Sequence, residues 1–249
     1  MTNLVVDIGN SFVKIAVFNQ DKKVFSDQLS TLKLELLLQL KSAYNVQHLI
    51  ISSVREGIIV DEEEVKQHFG YIRFNQSTPT PLQNKYQSPQ TLGLDRLAAV
   101  VGAQKLFPAQ NVFVIDAGTC ITYDAVNEKG EYFGGSISPG IKMRFEAMHQ
   151  FTSKLPLVNF DKDFNKTYGA NSKEAISSGA INGVLFEVEG FIQQQLKTNP
   201  KTKIILCGGD SAFFDSRFKN SIFAHLISHE PDLVLIGLNT VINYQHDHN

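Results

Sequence analysis

The stretch VVDIGNS at residues 5–11 is matched by VIDAGTC at residues 114–120. In both, an apolar run ends in Asp-x-Gly, a short hydroxyl or amide residue follows, and a second apolar run begins. The agreement extends outward. Val13 to Phe18, a polar turn at Asn19 to Lys23 and the run Val24 to Leu29 correspond to Ile121 to Val126, Asn127 to Gly130 and Tyr132-Phe133. Each half therefore predicts strand, turn, strand, polar turn, strand. The same order of elements at a domain-sized separation points to tandem duplication. That constrains the chain to two α/β domains, read as residues 1–110 and 111–249, and 249 residues are enough for each to bury its own core.

The remaining elements follow from hydrophobic period. Thr31 to Tyr44 carries leucines near helical spacing, HLIISSV at 48–54 reads as a buried strand, Asp61 to Phe69 as a short acidic helix, and Tyr71 to Phe74 as a strand. Residues 76–96 hold three prolines and no period, so they predict a loop. A helix follows over Arg96 to Phe107. In the second half, helices are expected at Ile141 to Phe151 and Asn171 to Leu196, the latter as one long helix or a pair. Lys203 to Leu206 reads as a strand, LVLIGLNTVINY at 233–244 as a strand and then a helix, and His246 to His248 as a solvated tail.

Composition excludes several classes. The net charge is −2 and the pI near 6.4, so no bulk positive field is available for nucleic acid or an anionic membrane. No uninterrupted run of 18 apolar residues occurs, and the N-terminus has neither a basic region nor a cleavage site. Two cysteines, Cys120 and Cys207, do not make a disulfide framework. The expectation is a cytoplasmic protein without nucleic-acid or membrane partners.

The motifs suit a polyphosphate. Glycine lets backbone N–H groups approach phosphate oxygens closely, and a carboxylate at the end of a rigid strand can position a metal ion. Asp7 and Asp116 have that placement, Gly9 and Gly118 permit the turns, and Asn10, Ser11 and Thr119 offer short donors. A single Asp-x-Gly-Asn turn is an ordinary hairpin turn; two in equivalent positions shift the reading to a nucleotide site. Gly208-Gly209, after another apolar run, offers a bare surface for a base or ribose. Gly93-x-Asp95-Arg96, where the proline-rich loop enters a helix, pairs a potential proton acceptor with a guanidinium fork for an anion. Its simpler reading is a helix-capping Asp beside an exposed Arg.

With these residues in order, the chain resembles the bacterial type III pantothenate kinases of the actin-like, sugar kinase and Hsp70 ATPase superfamily. The resemblance covers nearly the whole length. It is carried by Asp7-Ile8-Gly9-Asn10-Ser11 with Lys14, by Ser52-Ser53-Val54, by Tyr86 ahead of Gly93-Leu94-Asp95-Arg96, by Asp116-Ala117-Gly118-Thr119, by Gly134-Gly135-Ser136-Ile137-Ser138-Pro139-Gly140, and by Gly208-Gly209. It implies two tandem ribonuclease H-like domains with a nucleotide cleft between them, and transfer of the ATP γ-phosphoryl group to the primary hydroxyl of pantothenate.

The family's roles then fall on matching positions. Asp7, Ile8, Gly9, Asn10, Ser11, Phe12, Val13 and Lys14 are like the ATP phosphate loop, with Asp7 near Mg²⁺ and Thr119 as a second phosphate contact. Asp116 corresponds to the monovalent-cation ligand for K⁺ or NH₄⁺, and Asp95 to the general base. Tyr86, Gly93, Leu94, Arg96 and Ser172 line the pantothenate site, and family members are homodimers. Two departures stand out: Cys120 where the family often has Ala, and Ser172 where it has Thr. A sugar kinase of the same superfamily, an exopolyphosphatase-like hydrolase and a silent nucleotide-binding regulator are the alternatives; GLDR after the tyrosine-bearing loop disfavours the first, Asp95 beside Arg96 the second, and the intact Asp7, Asp95 and Asp116 the third.

Overall fold

A computed structural model of the chain describes residues 1–55 and 60–248. The first apolar runs form β1 (Thr2–Ile8), β2 (Val13–Asn19) and β3 (Lys22–Leu29), a meander continued by helix α1 (Leu34–Tyr44), β4 (His48–Ser53), α2 (Glu62–His68) and β5 (Gly70–Arg73). Asn45 ends α1 in the left-handed conformation, and Asp61 caps α2 by accepting the Glu63 N–H. These strands make a sheet in the order β3-β2-β1-β4-β5, with β1–β2 antiparallel and β1–β4 and β4–β5 parallel. The central strands are apolar on both faces, as strands covered on both sides must be. Leu4, Val6, Ile15, Leu37, Leu49 and Ile51 join one cluster and are almost fully inaccessible to solvent, each worth about 1.5–3 kcal/mol of burial.

The proline-rich segment holds a two-residue strand, β6 (Gln83–Asn84), and one 3₁₀ turn at Pro89–Thr91 before helix α3 (Leu94–Leu106). The second half repeats the first: β7 (Val112–Ala117), β8 (Cys120–Val126), β9 (Glu131–Pro139), α4 (Ile141–Gln150), α5 (Ser172–Thr198), β10 (Lys203–Cys207), α6 (Ser211–Phe218), β11 (Ile227–His229) and α7 (Leu233–Asp247). Its sheet runs β11-β10-β7-β8-β9-β6. Without β6 this is the order of the first sheet, β9-β8-β7-β10-β11 against β3-β2-β1-β4-β5, with the β7–β10 and β10–β11 pairs again parallel.

Contacts divide the chain into two compact units. The first is Met1–Ala109 with Val126–Gly134 and Asp232–Asn249; the second is Gln110–Ala125 with Gly135–Pro231. The units thus differ from a single cut at 110/111, because the last helix returns to the first unit. There α7 lies so close to α3 that a side chain on Gly237 would collide with the Ala98 carbonyl, and Asn3 donates to Asn239 (2.8 Å) and Asn243 (2.9 Å). Residues 233–244 are helical throughout; the strand expected over LVLIG is absent because Leu233, Leu235, Leu238, Val241 and Ile242 all find burial on one helix. His246 to His248 are exposed, as expected of a solvated end, although the helix continues to Asp247 and the His246 ring lies 3.7 Å from that of His48.

Helix α5 is one helix rather than a pair. Asn171 caps it by accepting the Glu174 N–H at 3.1 Å, and Glu174 accepts the Ala170 N–H at 3.0 Å. It is long and apolar enough to span a membrane by length and composition, and it supplies Ile181, Val184, Val188 and Ile192 to the core of the second unit.

Candidate active site

In the first unit, β1 ends one residue after Asp7. Its registered neighbours are Lys14 on antiparallel β2 and Ser52 on parallel β4, so the three side chains share a face of the sheet. The turn from Gly9 to Phe12 is closed by a 3.0 Å bond from Gly9 N–H to the Phe12 carbonyl, leaving Asn10, Ser11 and Phe12 exposed at its tip. Val54 N–H donates to the Ile8 carbonyl (3.1 Å), and the Arg55 guanidinium donates to the Asn10 carbonyl (2.6 Å). The Ser52-Ser53-Val54 motif is thereby attached to the turn, together with a cation, Arg55, that the sequence reading did not single out. Its only signal was its place just past the end of β4. Ser52 Oγ is fully buried and has no hydrogen-bond partner among the described residues. A buried polar atom left in that state beside a strand-end carboxylate fits a site completed by a ligand.

The other candidate residues of this unit gather at the start of α3. Gly93 is the N-cap, Leu94 and Asp95 open the helix, and Asp95 Oδ1 accepts the Arg96 N–H at 2.8 Å. Arg96, only 6% exposed, lies with its guanidinium carbon 5.7 Å from the centre of the Tyr86 ring. Tyr86 is stacked in turn on Tyr132 of β9, with centroids 6.2 Å apart and planes at 15°. The stack is possible because β6 pairs with β9 in parallel, Gln83 with Glu131 and Asn84 with Tyr132, and because Gly134 leaves no side chain in the Tyr86 ring's place. Tyr132 belongs to this arrangement and was read only as a strand residue. Tyr86, Gly93, Leu94, Asp95 and Arg96 are therefore brought together.

In the second unit, Asp116 is the penultimate residue of β7, with Cys207 of β10 as its parallel neighbour. Its turn is shorter: Gly118 N–H donates to the Cys120 carbonyl at 2.9 Å, and Thr119 is exposed. Gly208 stands at φ +90°, and a side chain there would collide with Asp116 Oδ1 and the Ala117 carbonyl. Part of the cradle around this carboxylate is thus backbone. Asp210 N–H closes it by donating to the Ala117 carbonyl at 2.8 Å. Burial raises the Asp210 carboxyl above its ordinary value, with the Lys142 charge partly opposing. Ser172 is the first residue of α5 and is exposed. Among the described residues no cluster of three or more His, Cys, Asp or Glu is arranged to hold a metal ion.

Behind β9 a carboxylate network was not foreseen. Glu187 of α5 accepts from Tyr123 Oη (2.7 Å) and Ser138 Oγ (2.5 Å) and pairs with Arg144 (2.6 Å). Burial would raise Glu187, but these three donors and the Arg144 charge outweigh it and hold the carboxyl below its usual value. Burial and Glu187 together push the Tyr123 phenol up.

Solved structures share the whole architecture. One assigned to the Baf family of transcriptional activators, from Campylobacter jejuni, superposes with a TM-score of 0.60 at 23% identity over 98% of this chain and 99% of that one. The activator of 2-hydroxyisocaproyl-CoA dehydratase from Clostridium difficile, with ADPNP bound, gives 0.53 at 12% identity over 100% and 97%. The fold is of the actin-like, sugar kinase and Hsp70 ATPase type, two ribonuclease H-like units each offering an Asp-x-Gly turn. At the level of sequence, the type III pantothenate kinase of Phocaeicola vulgatus is 42% identical over 243 residues, 97% of this chain and 98% of that protein. The profile of the type III pantothenate kinase family matches residues 3–194. The chain belongs to that family, and its reaction is phosphoryl transfer to an alcohol of pantothenate, in coenzyme A biosynthesis.

Proposed function

We propose that the chain transfers the ATP γ-phosphoryl group in line to the primary hydroxyl of pantothenate, giving 4′-phosphopantothenate, with Asp95 as general base. The observation that carries this is the arrangement at the head of α3. Asp95 engages one carboxylate oxygen with its own helix and makes no hydrogen bond through Oδ2 among the described residues, while Arg96 is held beneath Tyr86. A fixed guanidinium next to a carboxylate matches an acceptor that carries both a hydroxyl and an anionic group. Gly93 and Leu94 complete this wall, and Ser172 contributes a hydroxyl from an exposed position that a second subunit can approach. The family's homodimeric state and a cytoplasmic location go with this reading.

The Asp7 to Lys14 turn holds the phosphates through its exposed tip and Arg55, and Thr119 makes a second contact. Asp7 faces Mg²⁺ carried by the nucleotide, which fits the orphaned Ser52 Oγ beside it, and Asp116 in its backbone cradle holds K⁺ or NH₄⁺. When bound, these cations neutralise charge on the phosphates. The chain's own part is to fix the donor and acceptor groups, orient the hydroxyl and accept its proton at Asp95.

The test is ATP-dependent ADP release with pantothenate against hexoses and N-acetylhexosamines, in K⁺ and in Na⁺ buffer, for the wild type and Asp95→Asn. Turnover on pantothenate, greater in K⁺, and a loss of about 10²- to 10⁴-fold in kcat for Asp95→Asn are expected. Normal turnover by Asp95→Asn would remove Asp95 as the base.

A further inference from the structure

The Asp116 to Thr119 turn is supported from below by a segment that contacts no proposed ligand. Gly140 N–H donates to the Thr119 carbonyl at 3.1 Å, and Gly140 comes so close that a side chain on it would collide with the Gly118 and Thr119 carbonyls. The residues just before it are strapped down. Ser138 donates to Glu187, and Arg144 Nε donates to the Pro139 carbonyl at 2.9 Å while its terminal nitrogen pairs with Glu187. The strand leaving the turn is held by the same carboxylate, because Tyr123 of β8 also donates to it. One side chain on α5 thus fixes both the floor of the turn and its exit.

We infer that Glu187 is a positioning residue for the Asp116–Thr119 turn, acting through Arg144 and Ser138 to set the affinity of the second unit for nucleotide phosphate and monovalent cation. The inference rests on the reading of that turn as a phosphate and cation site. The pair is partly buried, with the Arg144 and Glu187 side chains 20% and 25% exposed, and its further bonds, from the Ser138 hydroxyl and to the Pro139 carbonyl, tie it to the segment that supports the turn. Groups that orient a ligand carbonyl or carboxylate from behind commonly change affinity by 10- to 100-fold when loosened, as is documented for metal sites.

The experiment compares full-length wild type with Glu187→Gln, Arg144→Lys and Ser138→Ala. MgADP affinity is measured calorimetrically over a K⁺ titration, alongside melting temperature and the KM for pantothenate. Glu187→Gln keeps an acceptor for Tyr123 and Ser138 but loses the negative charge that pairs with Arg144. Arg144→Lys keeps the charge but cannot reproduce both the Glu187 and the Pro139 bonds. Both are expected to weaken MgADP binding by roughly tenfold and to raise the K⁺ needed for half-maximal binding. Ser138→Ala moves the same way by less, and KM for pantothenate stays within about twofold of wild type.

If Arg144→Lys binds nucleotide and K⁺ like the wild type, or if melting temperature falls in Glu187→Gln with nucleotide affinity unchanged, the network is structural only and the inference is overturned. Should Glu187→Gln fail to fold, Arg144→Lys and Ser138→Ala decide the matter on the same readouts. Wild-type protein that binds no MgADP would overturn the underlying reading of the turn, a result distinct from normal wild-type binding with silent variants.

Discussion

Replacing Gly208 by Ala tests the proposed cation role of Asp116 while leaving the carboxylate itself in the chain. Gly208 sits at φ +90°, where a residue with a Cβ costs about 1–2 kcal/mol. Its new methyl would also overlap Asp116 Oδ1 and the Ala117 carbonyl by roughly 1 Å, measured against ordinary van der Waals contact. Since the neighbouring atoms are backbone on one side and the carboxylate on the other, the carboxylate is the part able to swing. A displacement of about 1 Å at a charge-positioning group costs on the order of 10²-fold in rate. Steady-state turnover with pantothenate should therefore fall by about that factor in kcat/KM, and half-maximal activation should need more K⁺. Melting should drop by only a few degrees. Gly190→Ala is the control, since a Cβ on that α5 residue meets nothing within 4 Å and the change favours the helix. If Gly208→Ala keeps wild-type rate and K⁺ dependence, Asp116 does not hold the cation, or its cradle is not rigid.

Three further changes probe other parts of the site. Tyr86→Leu removes the ring from Arg96 and from Tyr132, contacts worth together roughly 1–2.5 kcal/mol, so KM for pantothenate should rise about 5- to 70-fold with little change in KM for ATP; an unchanged pantothenate KM would place the acceptor elsewhere. Arg55→Ala removes the cation bonded to the Asn10 carbonyl and should raise KM for ATP by about three- to tenfold, with the difference shrinking at high salt; a salt-independent effect would mean Arg55 only braces the turn. Glu187 has a folded pKa below its ordinary 4.5, so its stabilisation is complete above about that pH and is lost as pH falls through the lowered value. The acid limb of melting temperature against pH should flatten in Glu187→Gln, and an unaltered limb would show that other carboxylates govern acid unfolding.

The duplication was legible because each copy preserves an apolar central strand ending in Asp-x-Gly, and those strands became β1 and β7 of sheets with the same order. The path of the last helix was not. Leu233 to Leu238 is apolar at nearly every position, a pattern compatible with a buried strand, and the helix is selected by burial of its leucines and the close packing of Gly237 on α3. The glycine-rich run from Gly134 to Pro139 gave no strand signal beyond Phe133, yet β9 continues through it. Partners on the sheet override its low intrinsic preference. In the candidate site, the positions of the carboxylates at strand and helix ends were readable. Tyr132, Arg55 and the Glu187 network were not, because each acquires its role from a neighbour distant in sequence.

The two turns also show where the copies have diverged. In the first unit four residues separate β1 from β2, and the tip Asn10-Ser11-Phe12 projects with its backbone exposed; in the second only Gly118 and Thr119 separate β7 from β8. A longer tip has more N–H groups to offer a polyphosphate, whereas the shorter turn is closed by the Gly118 to Cys120 bond and has Gly208 packed against Asp116 Oδ1 and the Ala117 carbonyl. The in-register neighbours differ as well: Asp7 stands beside the unpartnered hydroxyl of Ser52, Asp116 beside the thiol of Cys207. Duplication supplied two equivalent carboxylates, and the two turns now differ in loop length and in the strand residue that adjoins each carboxylate.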